Sequence, residues 1–387
     1  MMFPDYDQEV RCCSCLGFLQ KPIKSMDSLF ASLFARDRQI EDADEESDSE
    51  NASFSYFPPK DRPICRDVPV KETVRLKLDK DSDGKKTVNE YIRLYTIASG
   101  SYGKVVLYEN SIDGKPYAIK AFYKSRLSKV RVSPSETAMT DVLREVSIMK
   151  TLQHPNIVNL IEVIDDPESD NLYLVLEFVD GKRICDASIT TGGIGEYTSR
   201  QYLRDIIAGL MYLHAHNIIH GDIKPENLLV TKNGRVKIGD FGVSKAFEGN
   251  NDEIARSPGT PVFTAPECCT GSKYHGKAAD TWALGVTLYC MIVGFCPFIS
   301  DCLQDVYNKI VYSPLDIPKQ LDPNLKDLLK RLLCKDPKQR ISLEMVANHP
   351  WVVMEEGRII PFSCKCQNEN AAEESTSQAE KHSLLPT

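Results

Sequence analysis

From about Tyr91 the chain alternates short runs of β-branched and aromatic residues with turn residues: YIRLYTIA, GKVVLYEN, KPYAIKAFY, NIVNLIEVID and NLYLVLEFV. Runs of this length and composition suit a pleated, half-buried surface, so each is expected as a strand of an antiparallel sheet. Asp113 and Gly114 are expected to turn the chain between the second and third strands. One segment, AMTDVLREVSIMKTL, breaks the pattern: Met139, Val142, Val146 and Met149 recur at helical spacing and predict one long helix. After Asp180 the period becomes helical, and Tyr202, Ile206, Leu210 and Leu213 form an apolar stripe in SRQYLRDIIAGLMYLHAHN. Short strands are expected around IIHGD and NLLVTKNGRVKIGDFG, and helices from about Tyr274 to Trp351. The fold class is therefore α+β: a small antiparallel β lobe with one long helix, joined to a larger, mainly helical lobe.

The flanks differ in composition. Residues 1–85 include the acidic run Glu41 to Glu50, too charged for burial to offset the entropy of ordering, and are expected to be disordered. The acidic tail, 354–387, is expected to be the same. The net charge of −8 argues against nucleic acid as a partner, which would require a basic surface. The chain shows neither a secretory signal nor an apolar run of about eighteen residues, so no transmembrane segment and an intracellular location are expected. Thirteen cysteines are scattered without paired CxxC modules at zinc spacing, which gives metal or disulfide frameworks little support. Cys12, Cys13 and Cys15 sit beside Leu16 and Phe18, open to reading as S-acylation sites or as plain thiols.

Candidate chemistry falls within the patterned region. In IASGSYGKVV a glycine-containing turn lets backbone N–H groups approach phosphates, because glycine has no Cβ to obstruct them. YAIK places Lys120 on the third strand, and Glu145 on the long helix is the counter-ion such a lysine needs. HGDIKPENLL contributes Asp222, Lys224 and Asn227, and DFG contributes Asp240 and Phe241. APE ends in Glu267, for which Arg340 in KDPKQR is the expected buried partner, and DTWALG contributes Asp280, Trp282 and Gly285.

In this order and spacing, these motifs resemble the eukaryotic protein kinase family over about Tyr91 to Val353. The resemblance implies the two-lobed kinase fold for a domain at 91–353, with ATP and Mg2+ as cofactors. It assigns nucleotide contacts to Ile97, Ala98, Ser99, Gly100, Ser101, Tyr102, Gly103, Lys104 and Val105, with Ala98 where the family's first glycine stands. Ala118, Lys120, Leu229 and the hinge residues Glu177 and Val179 complete that set, with Leu176 as gatekeeper. Asp222 would accept the substrate hydroxyl's proton, and Lys224 would neutralise the transferred phosphoryl. Lys120 paired with Glu145 would hold phosphates, and Asn227 and Asp240 would be the metal ligands. Met149, Leu160, His220 and Phe241 match the family's stacked regulatory spine.

DIKPEN and GTPVFTAPE resemble serine/threonine kinases, with Thr260 expected to bond Asp222 and Lys224. Within these, SPGTPVFTAPE is similar to the calmodulin-dependent kinase kinases. HGDIKPENLL, SPSETAMTDVLREV and HPNIVNLIEVIDDP are closer to the plant geminivirus Rep-interacting kinases. That likeness implies an upstream kinase acting on the activation loop of a sucrose-non-fermenting/AMP-activated-related kinase, in cytoplasm or nucleus, with a viral replication protein as a further partner. The acidic tail lacks a basic amphipathic helix, so calmodulin is not expected to bind. The alternatives are a kinase with other protein clients or a pseudokinase scaffold, the latter disfavoured by the presence of Lys120, Asp222, Asn227 and Asp240.

One departure concerns regulation. Gly221 replaces the loop arginine that in many kinases meets a phosphate, and Arg256 occupies the position where that phosphate would sit. The paired loss suggests a loop that is active without phosphate there. Thr137 and Ser257 are candidate phosphosites, Ser257 being equally readable as an unmodified loop residue and Thr137 being readable also as a helix cap. Lys124, Arg126, Lys129 and Arg131 form a basic insert, either a docking loop or a solvated one.

Overall fold

The computed structural model describes residues 65–364 except 100–103, 134–135, 185–191, 250, 256–258, 271–272, 355, 361 and 363. Cys12, Cys13, Cys15, the acidic run, Gly100, Ser101, Tyr102, Gly103, Arg256 and Ser257 lie outside the described residues.

The small lobe is an eight-stranded sheet. Its strands are β1 (Lys71–Thr73), β2 (Leu78–Lys80), β3 (Lys86–Val88), β4 (Tyr91–Ser99), β5 (Lys104–Asn110), β6 (Pro116–Tyr123), β7 (Leu160–Asp165) and β8 (Asn171–Glu177). Their spatial order is β1-β7-β8-β6-β5-β4-β3-β2, antiparallel except where β1 runs parallel to β7. The period of two decides the faces. Tyr173 and Val175 of β8 join Val106, Tyr108 and Ile119 on one side, while Leu172 and Leu174 face the helix α2 (Ala138–Thr151) on the other. The expected helical stripe is there, with Val142, Val146 and Met149 buried and Met139 partly so. The basic insert is a short helix, α1 (Lys124–Lys129), anchored by buried Leu127. Lys124 is tied to Asp165 and the Asp166 carbonyl, while Arg126 and Lys129 are exposed.

The larger lobe is helical. Strand β9 (Lys182–Arg183) precedes α3 (Glu196–Ala215), which carries the predicted stripe, with Ile206, Leu210 and Leu213 buried. β10 (Ile218–Ile219), β11 (Leu228–Val230) and β12 (Val236–Ile238) flank the loop HGDIKPENLL. Then follow α4 (Pro266–Thr270), α5 (Gly276–Val293), α6 (Leu303–Tyr312), α7 (Pro323–Leu332), α8 (Leu343–Ala347) and α9 (Pro350–Val353). Apolar nearly all round, α5 is buried along most of its length and forms the centre of this lobe.

Both flanks depart from the sequence expectation. Residues 65–85 are not featureless: β1 and β2 lie there, and β1 satisfies a charge in the core. Glu162 on β7 is 0% exposed and accepts from Tyr91 Oη at 2.7 Å and Lys71 Nζ at 3.1 Å. The Arg66 guanidinium donates to the Leu152 carbonyl (2.7 Å), capping the end of α2, and to the Leu160 carbonyl (2.8 Å) at the start of β7. At the other end, residues 356–360, 362 and 364 return to the helical lobe. Arg204 donates to the Gly357 carbonyl at 2.7 Å, and Phe362 packs edge-on against His154 and Tyr212. Composition misled in both places because these polar segments are held by hydrogen bonds to the lobes rather than by an apolar period of their own.

Candidate active site

The site is assembled from four elements. Strand β6 carries Lys120, whose Nζ lies 2.9 and 3.1 Å from the two Glu145 oxygens on α2. Burial works against the charge on Lys120, yet Glu145 and Asp240 outweigh it and hold the ammonium above its ordinary range. Strand geometry aims the lysine, since Lys120 pairs with Val105 on one side and Leu174 on the other.

After β12, Gly239 lets the chain pass close to Val158: a Cβ there would sit 3.3 Å from the valine Cγ2. The next residue, Asp240, takes a left-handed backbone at φ +59°, uncommon for a residue other than glycine. Its carboxylate reaches within 3.9 Å of Lys120 Nζ. Burial pushes the Asp240 carboxyl up, but Lys120 and Lys224 outweigh that and the net direction is down, so it is kept ionised. Beneath it Phe241 is buried, its ring edge-on to His220 at 5.2 Å. Met149 and Leu160 are buried in the same core as Phe241, so the four expected spine residues are all interior.

Asp222 is the most connected side chain in the loop. Its Oδ1 accepts from the Thr260 hydroxyl (2.8 Å) and backbone N–H (3.2 Å), and its Oδ2 accepts from Asn227 Nδ2 (3.0 Å). Lys224 Nζ lies 2.6 Å from that Oδ2 and donates to Thr260 Oγ1 at 2.6 Å. Asn227 also donates to the Asp222 carbonyl, so its amide oxygen is the atom it can offer a cation.

Asp280, buried on α5, holds this loop from below, a role that its motif alone did not reveal. One carboxylate oxygen accepts from His220 N–H (3.0 Å) and contacts His214 Nε2 (2.9 Å), and the other accepts from Gly221 N–H (2.9 Å). Gly221 has φ +79°, where another L-residue would cost about 1–2 kcal/mol. A Cβ there would be in ordinary contact with Val243, 3.4 Å from its carbonyl oxygen and 3.7 Å from its Cγ2, so the constraint is conformational rather than steric.

Around the expected nucleotide position, Val105, Ala118 and Leu229 are half-buried, while their strand neighbours Val106, Ile119 and Leu228 are buried. Leu176, Glu177 and Val179 are likewise half-buried, and Ile97 is exposed. Ala98 and Ser99 end β4 and pair with Val105 and Lys104 across the sheet. Thr137 caps α2: its Oγ1 accepts from Thr140 N–H, and Thr140 Oγ1 accepts from Thr137 N–H.

Comparison with known proteins agrees with this geometry. The model of the protein kinase domain matches residues 91–352. The chain is 64% identical over 311 residues to the serine/threonine-protein kinase GRIK1 of Arabidopsis thaliana, covering 80% of this chain and 78% of that protein. GRIK2 of the same plant is 63% identical, over 80% of this chain and 76% of its own. A calcium/calmodulin-dependent protein kinase kinase of Caenorhabditis elegans is 39% identical, over 73% of this chain and 55% of that protein.

Proposed function

The chain belongs to the protein kinase family, as a serine/threonine protein kinase, and we propose that Asp222, Lys224, Lys120, Glu145, Asn227 and Asp240 carry its catalysis and that its clients are other kinases. The triangle of Asp222, Thr260 and Lys224 supports this most directly. It joins the candidate base to the segment that precedes APE, where a protein substrate would lie.

The family uses ATP and a divalent metal, and the donors fit Mg2+ in particular. The ionised Asp240 carboxylate and the Asn227 amide are hard oxygen ligands. When bound, ATP and the metal supply the phosphoryl group and neutralise its charge. Lys120, aimed by Glu145, holds phosphate oxygens. Asp222 orients the acceptor hydroxyl and takes its proton as the oxygen bonds to phosphorus, while Lys224 offsets the charge that develops on the transferred group.

The likeness to the geminivirus Rep-interacting kinases supports a client of the sucrose-non-fermenting/AMP-activated-related group, phosphorylated on its activation loop. It also supports a cytoplasmic or nuclear location and a viral replication protein as a further partner. Incubated with a catalytically inactive kinase domain of that group, the enzyme is expected to place phosphate on the client's activation loop, with an Asp222→Ala control leaving it unmodified. Phosphate mapped only elsewhere on the client, or none, would remove the client assignment.

The glycine at 221 supports a second regulatory reading, a loop that needs no phosphate of its own. Phosphatase-treated enzyme is expected to keep most of its activity toward a peptide. Activity abolished by the phosphatase and regained only on rephosphorylation of the activation segment would contradict it.

A further inference from the structure

The two flanking segments, one ahead of β1 and one behind α9, converge at the end of α3, and each brings a thiol. Cys65, His216 and Cys364 each present one ligand atom, and the three atoms lie within 4.8 Å of one another. Cys364 is buried, and the other two are half-buried. His216 Nδ1 stands 2.6 Å from the Tyr212 carbonyl. A carbonyl can only accept, so the imidazole proton resides on Nδ1 and Nε2 carries the lone pair. That Nε2 faces Cys364 Sγ at 3.3 Å. A histidine whose distal nitrogen is fixed by a backbone carbonyl is oriented as metal-ligating histidines are.

We propose that Cys65, His216 and Cys364 form a three-ligand zinc site that ties both ends of the kinase domain to the junction of α2 and α3. Two thiolates and a neutral imidazole are borderline-soft donors, suited to Zn2+ and unsuited to Mg2+ or Ca2+. Zn–S and Zn–N bonds of about 2.3 and 2.0–2.1 Å put tetrahedral ligand atoms roughly 3.5–3.8 Å apart, so the widest pair, within 4.8 Å, closes by roughly 1 Å while the 3.3 Å pair of Nε2 and Cys364 Sγ opens slightly. Water can complete the coordination. Another thiol, Cys366, lies two residues further on in the sequence, outside the described residues, and is no part of the proposed site. On binding, Zn2+ displaces the two thiol protons to solvent and forms two Zn–S bonds and one Zn–N bond, with no change in oxidation state.

The surroundings suit a site that holds separate segments together. Cys65 N–H donates to the Thr151 carbonyl at 3.1 Å, at the end of the helix that carries Glu145. Phe362 and His154 pack with Tyr212, whose ring lies 4.2 Å from that of His216. Metal binding there would hold the end of α2, the end of α3 and the returning tail in one place.

Full-length protein purified under reducing conditions from zinc-supplemented cells is expected to carry about one zinc per chain by plasma mass spectrometry. Cys65→Ser and Cys364→Ser should each lose most of it, while Cys302→Ser, an exposed thiol elsewhere, should not. Loaded with Co2+ in place of zinc, the unmodified chain should show thiolate charge-transfer absorption and the visible bands of a tetrahedral ion. A chelator should lower its melting temperature but leave that of Cys364→Ser unchanged. Absence of zinc together with no charge-transfer band on the unmodified protein would overturn the proposal. So would zinc undiminished in the Cys65→Ser, Cys364→Ser double variant, or a Cys65–Cys364 disulfide found in protein purified under reducing conditions. The cobalt spectrum is read on the natural sequence, so a variant that fails to fold does not blunt the test.

Discussion

Asp222→Asn is expected to lower kcat for peptide phosphorylation by about 10²- to 10⁴-fold, the range in which a positioned acid or base contributes. Asparagine keeps the shape but can neither take the substrate proton nor carry the charge that faces Lys224 at 2.6 Å. The contacts from Thr260 and Asn227 tell the same story, since each donates a hydrogen to a carboxylate oxygen of Asp222. An amide NH2 at either oxygen would oppose another donor, so the substitution disturbs the segment joining loop and substrate platform as well as removing the base. With the nucleotide side of the proposed site assigned to Lys120, Glu145 and Asp240, the KM for ATP is expected to change little. Steady-state kinetics with both substrates varied separates the two effects. A fall in kcat of less than tenfold would take the base role away from Asp222.

The largest loss of stability is expected at Arg340. Its guanidinium is 1% exposed and makes a two-pronged contact with Glu267, at 2.7 and 2.8 Å. It donates as well to the carbonyls of Cys334 (3.0 Å) and Ala278 (2.8 Å), and lies 5.1 Å from the Trp282 ring centroid. Arg340→Met strands a largely buried carboxylate and two carbonyls together, a defect that costs about 3–5 kcal/mol when one partner of a buried pair is removed. Against a typical total of about 5–15 kcal/mol that is a large fraction. At about 2–4 °C per kcal/mol for a domain of this size, the melting temperature should fall by roughly 10 °C. Joining it with Glu267→Leu should restore part of the loss, because the double variant has no orphaned charge. Denaturant unfolding of the three variants tests this, and a loss below about 1 kcal/mol for the single change would show that the pair is dispensable. Glu267 lies in α4, directly after the segment that holds Thr260, so the same variant should also raise the KM for protein substrate.

Much of this was legible along the chain. The alternation in YAIKAFY and NLYLVLEF specifies strands with two different faces, and the spacing of Val142, Val146 and Met149 specifies a helix, because side-chain direction repeats locally. Lys120, Asp222, Asn227 and Asp240 could be singled out because each is embedded in a short motif whose residue types serve phosphoryl transfer. The structure supplied their mutual distances and the role of Asp280, which reaches the loop from a helix almost sixty positions away.

Other features carried no local signal. Lys71 looks like any polar flank residue until it meets Glu162, and Arg66 acquires its role only from the carbonyls at the end of α2. Cys65, His216 and Cys364 are the clearest case. In sequence they are three unremarked residues in three separate regions, without the close CxxC spacing that announces a zinc module. Periodicity and short motifs encode what neighbouring residues do together, and so the lobes, the helix faces and the catalytic loop could be read directly. Which distant side chains meet depends on how the lobes pack and where the two flanks return, and only the folded chain decides that.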